Sequence, residues 1–419
     1  MDVKTSRLRL CSLCIGNLFE HYDTALFGLL SSVLAPVIFP EKDPISALLL
    51  MYVMIPISML ARPVGAVLFG FIGDCYGRSV ALFTSLTGMG LVSLCIAMAP
   101  SFIGFGMLPP LFWCSARAVQ NLLAAGETCG GAIFLLESAE PKYHDLLSSI
   151  YSASTIGGVL LASIGTAVLA TLNQLQNGWS YLYLLGSITA LFGCLVRHNM
   201  RGVEARPAQD RSCSRNSFSL RIFWLHRTPL LCIAICSGFS YASYSIALIV
   251  LTGFIPLVSD NSPALMMHIN TTLLVLDLLL LPFFGYVASK ISRCRLMLLA
   301  SIVTCVSAAP LFFLLEGASL GVMFGVRVCF VFMGAAFAAP MHALLQTLVP
   351  TSHRYSIISV GYALGSQILG GPTAAISLWL FKATGSYLGI AIYWMILALA
   401  SGAFLFRLGR AKESTYQLG

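Results

Sequence analysis

Residues 61–82 join two long apolar runs through a turn of only a few residues. The first run contains Gly70 and ends near Asp74, after which Gly77 and Arg78 follow at once and a second apolar run begins. Glycines and paired charges are therefore concentrated in a very short turn between two segments of membrane length.

The composition requires most of the chain to face lipid or a lipid-like interior. Hydrophobic residues make up 58% of the chain, charged residues make up 10%, and the mean hydropathy is +0.87. A soluble chain carries about 25% charged residues. Backbone polar groups in lipid must be satisfied within each segment, so the spans are helices or a closed barrel. The apolar runs are continuous and lack a period-2 alternation, which favours helices.

The chain has room for about a dozen spans of ~20 residues with short connections. The sequence thus predicts an all-α membrane protein with twelve transmembrane helices. The predicted spans are 10–36, 46–70, 79–99, 106–137, 145–171, 179–198, 228–258, 264–288, 295–315, 318–346, 355–380 and 386–407.

Basic residues are distributed asymmetrically along this topology. With both termini in the cytoplasm, the cytoplasmic segments hold 19 of the 24 lysines and arginines, and the external loops hold only Lys42 and Lys382. This is the distribution that the positive-inside rule requires. It explains the net charge of +8 without a nucleic-acid partner. The basic and then apolar N-terminus lacks a cleavage site, so we interpret it as an uncleaved first span.

A long polar stretch divides the predicted spans into six and six. The predicted domains are an N-terminal six-helix bundle at 1–198, a cytoplasmic linker at 199–227 and a C-terminal six-helix bundle at 228–419.

Internal similarity supports a duplicated six-helix unit. Gly70 and Arg78 recur as Gly285 and Arg293, in the stretch GYVASKISRCR. Arg117 recurs as Arg327, and the turn at 141–145 recurs at 350–354. Two parallel halves with a substrate site between them near the middle of the membrane are a transporter architecture.

The turn at 70–78 resembles the loop between the second and third helices of major facilitator transporters, whose pattern is G-x-x-x-D-x-x-G-R. Further stretches narrow the match: GNLFEHYDTALFG at 16–28, RAVQNLLAAGETCGGAIFLLESAEP at 117–141, NGWSYLYLLG at 177–186 and LVPTSHRYS at 348–356. Together they resemble the metabolite:proton symporter family of the major facilitator superfamily, typified by proline/glycine-betaine transporters. The resemblance implies the major facilitator fold, with two pseudo-symmetric halves.

The resemblance also implies a gating role for the turn and its neighbours, namely Asp74, Gly77, Arg78, Glu137 and Arg293. The second copy departs from the pattern, because Ser289 and Ser292 stand where aspartate and glycine are expected. After the fourth span, His144 and Asp145 replace the usual Arg-Gly. The sequence therefore does not decide whether the second half has a gate.

Ionisable residues within spans cost about 2.5–3.5 kcal/mol each and indicate function by default. Glu20 and Asp23 share one face of the first helix, and two close carboxylates do not both ionise easily. We therefore predict proton coupling at Glu20 and Asp23, with Arg117 as their counter-charge and as a ligand for a substrate carboxylate. The alternative is that Arg117 forms a permanent, purely structural salt bridge with one of the two acids.

Other polar and aromatic residues within spans are candidates for the substrate site. Aromatic faces attract quaternary ammonium groups, and a second arginine suits a dicarboxylate. The further predicted substrate-binding residues are His21, Tyr22, Glu127, Arg327, Tyr241 and Tyr244. Arg62 is expected to be structural, and Asp277 is a candidate for a second protonation site.

The sequence therefore predicts proton-coupled uptake of a small zwitterionic or carboxylated metabolite, resembling proline and betaine or 2-oxoglutarate and citrate. The predicted protein is a monomer in the bacterial cytoplasmic (inner) membrane whose partners are a small-molecule substrate, protons and the lipid bilayer. It has no P-loop and no histidines at metal-binding spacing, so we predict no enzyme, no cofactor and no metal. Two alternatives stay open: an efflux antiporter, and a membrane sensor on the same fold that does not transport.

Overall fold

The computed structural model describes residues 3–39, 50–51, 54, 57–99, 108–198, 220–252, 255 and 263–416. Throughout these residues the regular structure is helical and no strand is present. The α-helices are Val3–Leu29 (α1), Ser31–Ile38 (α2), Ala61–Cys75 (α3), Arg78–Ala97 (α4), Leu108–Glu137 (α5), His144–Thr171 (α6), Leu175–His198 (α7), Leu220–Leu225 (α8), Arg227–Tyr244 (α9), Pro263–Ile291 (α10), Arg293–Phe313 (α11), Leu320–Ala338 (α12), Met341–Gln346 (α13), Arg354–Leu364 (α14), Thr373–Thr384 (α15) and Leu388–Tyr416 (α16).

These helices lie on the predicted spans. Ten helical segments in the described part of the chain are long and apolar enough to cross a membrane. The first and the eleventh predicted spans are the two that do not pass this test. The first carries Glu20 and Asp23 in its centre, and the eleventh is interrupted before α15. Polar groups and interruptions within a span are tolerated where it faces protein or a cavity.

The chain forms two compact units. The first contains Met1–Ser138, Ser154–Ile222 and Thr351–Val360, and the second contains Ala139–Ala153, Phe223–Pro350 and Gly361–Gly419. Each unit thus includes a short segment from the other half of the sequence. Most of the predicted linker, residues 199–219, lies outside the described residues.

In the first unit, α1 packs against α5 and α7, and small residues permit close approach. A Cβ on Gly158 of α6 would collide with the backbone of α1. A Cβ on Gly65 of α3 would collide with the backbone of α5. Close packing of this kind is typical of helices in membranes, where lipid tails are as apolar as leucine. The close packing at these glycines holds the polar face of α1 against neighbouring helices.

In the second unit, two helices contain a π-helical segment. Residues Ser245–Val250 continue α9 and residues Gly365–Gly370 continue α14 in this form. A π-helical turn replaces the usual i to i−4 hydrogen bonds and leaves backbone carbonyls available to other donors, and it is often found at functional sites.

Candidate functional site

Glu20 is completely buried on α1 and is held by groups from two other helices. The Thr128 hydroxyl of α5 lies within hydrogen-bonding distance of both carboxylate oxygens, at 2.9 and 2.8 Å. Arg62 Nη2 of α3 lies 3.4 Å from Glu20 Oε1. His21 Nδ1 is 3.8 Å from Glu20 Oε2 and 2.9 Å from the Asn17 carbonyl. Glu20 therefore has a cation beside it and a hydroxyl donor.

Asp23, one turn further along α1, has a different set of partners. Its Oδ2 accepts hydrogen bonds from the Ser93 hydroxyl and from Gln120 Nε2, the latter at 3.2 Å. Gln120 also donates to Ser93 at 2.9 Å. Asp23 is 4% exposed, and its Oδ1 has no hydrogen-bond partner. The Asp23 carboxyl is thus bound by neutral donors on one oxygen only.

Arg117 forms no salt bridge with Glu20 or Asp23, although it lies within electrostatic reach of the Asp23 carboxylate and its Nη1 donates to the Asp23 backbone carbonyl at 3.5 Å. Its Nη1 donates to Gln120 Oε1 at 2.6 Å, and its guanidinium lies 4.5 Å from the centre of the Phe27 ring. In the described residues the cation paired with Glu20 is Arg62 instead. For Glu20 the reason is helix geometry, because its partner Thr128 lies eleven residues, or about 16 Å, along α5 from Arg117.

Aromatic side chains surround Arg117. Trp113 lies 6.1 Å from Phe27, 5.7 Å from Trp179 and 6.1 Å from Tyr183, measured between ring centres. Arg117 Nε and the Tyr183 hydroxyl are buried and have no hydrogen-bond partner, as is also true of Asp23 Oδ1. Buried polar atoms are nearly always hydrogen-bonded, so these three are candidates for contact with a ligand or a proton.

The other sequence candidates near α1 have structural contacts of their own. The Tyr22 hydroxyl donates to the Leu182 carbonyl at 3.0 Å. Glu127 is fully buried on α5, within electrostatic reach of Tyr355. The Tyr355 hydroxyl donates to the Gly126 carbonyl at 2.6 Å.

Arg327 of the second unit is also buried, at 1% exposure. Its Nη2 donates to Thr252 Oγ1 at 2.6 Å, to Asn270 Oδ1 at 3.0 Å and to the Ala247 carbonyl at 3.1 Å. Ala247 belongs to the first π-helical segment, so the guanidinium binds one of its carbonyls. Arg327 has no carboxylate partner among the described residues, and its Nη1 has no hydrogen-bond partner.

Tyr244 and Asp277 lie close together in the second unit. Asp277 is buried and Tyr244 is partly buried, and the Asp277 carboxyl lies within electrostatic reach of the Tyr244 hydroxyl. Tyr241, one turn earlier on α9, packs against Gly370. A Cβ added to Gly370 would lie only 2.7 Å from the Cβ of Tyr241. The sequence left Asp277 without a named neighbour, and the structure supplies Tyr244.

The turn between α3 and α4 forms what we call the first charged cluster: Asp74, Arg78, Glu137 and Arg354. Arg78 Nη1 donates to Asp74 Oδ1 at 3.0 Å, and its Nε lies 3.3 Å from Glu137 Oε2. Arg354 Nη1 donates to Glu137 Oε1 at 3.0 Å. The cluster therefore alternates two acids with two bases.

Asp74 also caps the start of α14. Its Oδ2 accepts hydrogen bonds from the Ser356 backbone N–H at 2.9 Å and from the Ser356 hydroxyl at 2.6 Å. Its Oδ1 accepts from the Tyr355 N–H at 3.3 Å. These backbone groups belong to the first turn of the helix, where N–H groups lack intrahelical partners and negative charge is stabilising.

The turn between α10 and α11 forms the second charged cluster, Asp145 and Arg293. Arg293 Nη2 donates to Asp145 Oδ2 at 3.2 Å, and Nε lies 3.0 Å from Oδ1. Arg293 Nη1 donates to the Ala343 carbonyl at 2.9 Å. The sequence identified Arg293 as a gating residue and named no partner for it.

No group of three or more metal-ligating side chains occurs in the part of the chain that the structure describes. The candidate functional residues lie in several separate polar clusters. One lies between α1 and α5, one contains Arg327, one contains Asp277, and two lie at the turns.

The model of the family described as "Sugar (and other) transporter" matches residues 10–201. A putative proline/betaine transporter of Staphylococcus aureus (strain COL) is 26% identical over 406 residues, which cover 94% of this chain and 86% of the relative. The proline/betaine transporter of Escherichia coli (strain K12) is 23% identical over 413 residues, covering 94% of this chain and 81% of the relative.

Solved structures share the fold. A proton:xylose symporter bound to 6-bromo-6-deoxy-D-glucose superimposes with a TM-score of 0.80 at 13% identity, covering 97% of this chain and 96% of that one. A bacterial homologue of the iron transporter ferroportin in an outward-facing state gives a TM-score of 0.68 at 14% identity, covering 96% of this chain and 99% of that one.

The chain has the major facilitator fold. Over most of its length its sequence is similar to those of the proline/betaine transporters. The predicted all-α, multi-pass fold class is thereby confirmed, and the relatives are of the kind that the sequence motifs resemble. The proteins that this chain resembles are membrane transporters and not enzymes.

Several groups that contact the key acids were not indicated by the sequence. Arg62 was expected to be structural, yet it is the cation beside Glu20. Ser93, Gln120 and Thr128 hold the two carboxylates. Neutral polar residues of this kind are common in helices and give no signal by themselves. The i+8 spacing of Gln120 and Thr128 on α5, the helix of Arg117, is the one hint that the sequence contained.

Proposed function

We propose that this protein imports a small zwitterionic or carboxylated metabolite together with protons, by alternating access. The observation that carries the proposal is the group of buried polar atoms without partners in the first unit: Asp23 Oδ1, Arg117 Nε and the Tyr183 hydroxyl. A guanidinium and aromatic rings suit the carboxylate and the ammonium group of a zwitterion, and a buried carboxyl without a salt bridge suits a transferable proton. The relatives named as proline/betaine transporters support this substrate class.

Asp23 is the favoured proton-coupling residue of the predicted Glu20 and Asp23 pair. Its carboxyl receives hydrogen bonds from neutral groups, so gaining a proton breaks no ion pair. Glu20 has Arg62 beside it, which stabilises its charged form. We therefore assign the mobile proton to Asp23, and to Glu20 the task of holding α1 against α3 and α5.

Arg117 is the proposed ligand of the substrate carboxylate. Its guanidinium is oriented by Gln120 and Phe27 and retains an unused N–H. The adjacent rings of Trp113 and Trp179 suit an ammonium group. Arg327, in the second unit, also retains an unused N–H and stays a predicted substrate-binding residue. His21, Tyr22, Glu127, Tyr241 and Tyr244 stay predicted lining residues of the substrate site.

The finer aspects of location and movement belong to the same proposal. The distribution of basic residues supports a bacterial cytoplasmic membrane protein with both termini in the cytoplasm. We propose that it acts as a monomer of two six-helix halves and that both charged clusters are gating elements. Bacterial relatives support the setting.

Uptake into proteoliposomes tests the proposal. With an imposed inward proton gradient, we expect the purified protein to accumulate one of proline, glycine betaine, 2-oxoglutarate or citrate, each radiolabelled. Asp23→Asn is expected to lower gradient-driven accumulation by about tenfold or more while leaving exchange of substrate across the membrane intact, because only coupling needs the proton. Glu20→Gln is expected to lower both.

Asp277→Asn serves as the matched comparison, since it removes another buried carboxyl from a span. Loss of coupling in this variant, with normal coupling in Asp23→Asn, would place the proton site in the second unit. Accumulation driven equally well by a sodium gradient would contradict proton coupling. Export of substrate against the proton gradient would favour an antiporter, and binding without flux would favour a sensor.

A further inference from the structure

We propose that Asp145 supplies the negative charge of the second charged cluster. In the first charged cluster that charge comes from two acids, and the repeat has neutral residues at both corresponding positions of the second. The pair of Asp145 and Arg293 then restrains the movement of the segments that carry it. This inference rests on the proposed alternating-access transport.

The repeat relates the two clusters position by position. The turn at 141–145 recurs at 350–354, so Asp145 corresponds to Arg354. The same alignment makes Gln346 the counterpart of Glu137. Aligning Arg78 with Arg293 makes Ser289 the counterpart of Asp74. Both acids of the first cluster are therefore neutral in the second, and the position of a base has become an acid.

Charge balance explains why this exchange matters. The first cluster contains two acids and two arginines, and the second contains one of each, so both are neutral overall. With an arginine at position 145, as at its counterpart, two arginines would meet without an acid from the described residues. Arg293 has only 21% of its side chain exposed, so it requires a counter-charge.

The local geometry places Asp145 firmly. Both of its carboxylate oxygens lie near the Arg293 guanidinium: Oδ2 accepts a hydrogen bond from Nη2 at 3.2 Å, and Oδ1 lies 3.0 Å from Nε without forming a hydrogen bond. One turn further along α6, the Ser148 hydroxyl donates to the Ala339 carbonyl at 2.7 Å. A Cβ on Gly285 would collide with Ser149. The start of α6 therefore lies against the ends of α10 and α12.

The two members of the pair come from different halves of the sequence. Asp145 follows the fourth predicted span and Arg293 precedes the ninth, although both belong to one compact unit. The pair therefore ties the start of α6 to the start of α11 and restrains any movement that separates these two segments. A single carboxylate makes it weaker than the first cluster.

Hydrogen exchange of the full-length protein in lipid nanodiscs tests the role of Asp145. Asp145→Asn is expected to raise the exchange rates of the backbone amides at 341–347 by about tenfold, because Arg293 loses its counter-charge. Adding Gln346→Glu restores a carboxylate where the first cluster has Glu137, and is expected to return these rates to within about twofold of the unmodified protein. The reversed pair, Asp145→Arg with Arg293→Asp, is expected to do the same.

Glu140→Gln is the matched control, since it removes an exposed acid five residues before Asp145 and is expected to change nothing. The proposal is wrong if Asp145→Asn behaves like this control. It is also wrong if neither compensating variant restores slow exchange. Uptake measured in parallel separates the two proposals: wild-type protein that exchanges as expected but transports no substrate overturns the proposed function and not the role of Asp145.

Discussion

Arg78 and Arg293 occupy corresponding positions in two copies of one turn, yet they have different surroundings. Arg78 contacts the carboxylates of Asp74 and Glu137 and donates to two backbone carbonyls. Arg293 contacts one carboxylate and one carbonyl. The first arginine is 8% exposed and is the more enclosed of the two.

This difference shows which residues of the turn keep the same place in both copies and which do not. The backbone and the arginine recur, whereas the acid comes from the turn in one copy and from the first turn of α6 in the other. An ion pair requires only that the charged atoms lie within about 4 Å, so different chain positions satisfy it. At the N-terminus of α6, Asp145 is also stabilised by the helix dipole.

The largest expected difference between the clusters comes from removing the arginine. Arg78→Gln leaves Asp74 and Glu137 without their shared cation and is expected to destabilise the protein by about 3 kcal/mol. Arg293→Gln leaves one acid at a helix N-terminus, and we expect a loss of about 1 kcal/mol. Unfolding by denaturant in detergent measures both. Equal losses would show that the number of acids does not set the strength of the cluster.

A smaller effect is expected from the helix-capping acid. Asp74→Ala removes the acceptor for the Tyr355 and Ser356 N–H groups and should cost about 1–2 kcal/mol. Ser289→Ala at the corresponding position of the second turn should change stability by less than about 0.5 kcal/mol, because the exposed Ser289 hydroxyl donates only to the Tyr286 carbonyl. Exchange rates at residues 355 and 356 provide the local readout. Unchanged rates in Asp74→Ala would contradict a capping role.

Much of the fold could be predicted because each membrane span is a long apolar run in the sequence. A run of about 20 apolar residues is recognisable without knowing its neighbours, and the turn at 70–78 supplied the family. The interruptions of the seventh and eleventh spans could not be predicted. The two π-helical segments depend on packing, such as the contact of Arg327 with Ala247, and their sequences are ordinary for helices.

The site was less predictable, since it depends on how helices are rotated against each other. The sequence placed Glu20 and Asp23 on one face, but the choice of Arg62 as the cation for Glu20 depends on the relation of α1 to α3. The Asp145 pair shows the opposite case. The loss of the usual acids at Ser289 and Gln346 and the unusual acid at 145 were all visible, and only their compensation required the structure.

The smallest expected effect concerns the backbone just before each arginine. Gly77 has φ 112° and Ser292 has φ 86°, so a serine holds a conformation that favours glycine. Such a residue carries about 1–3 kcal/mol of strain, part of which glycine gives back through its greater freedom in the unfolded chain. Ser292→Gly is therefore expected to raise the free energy of unfolding by about 0.5–1 kcal/mol, and Gly77→Ser to lower it. Denaturant unfolding of both variants checks the sign, and a loss of stability in Ser292→Gly would mean that contacts of the serine side chain outweigh the strain.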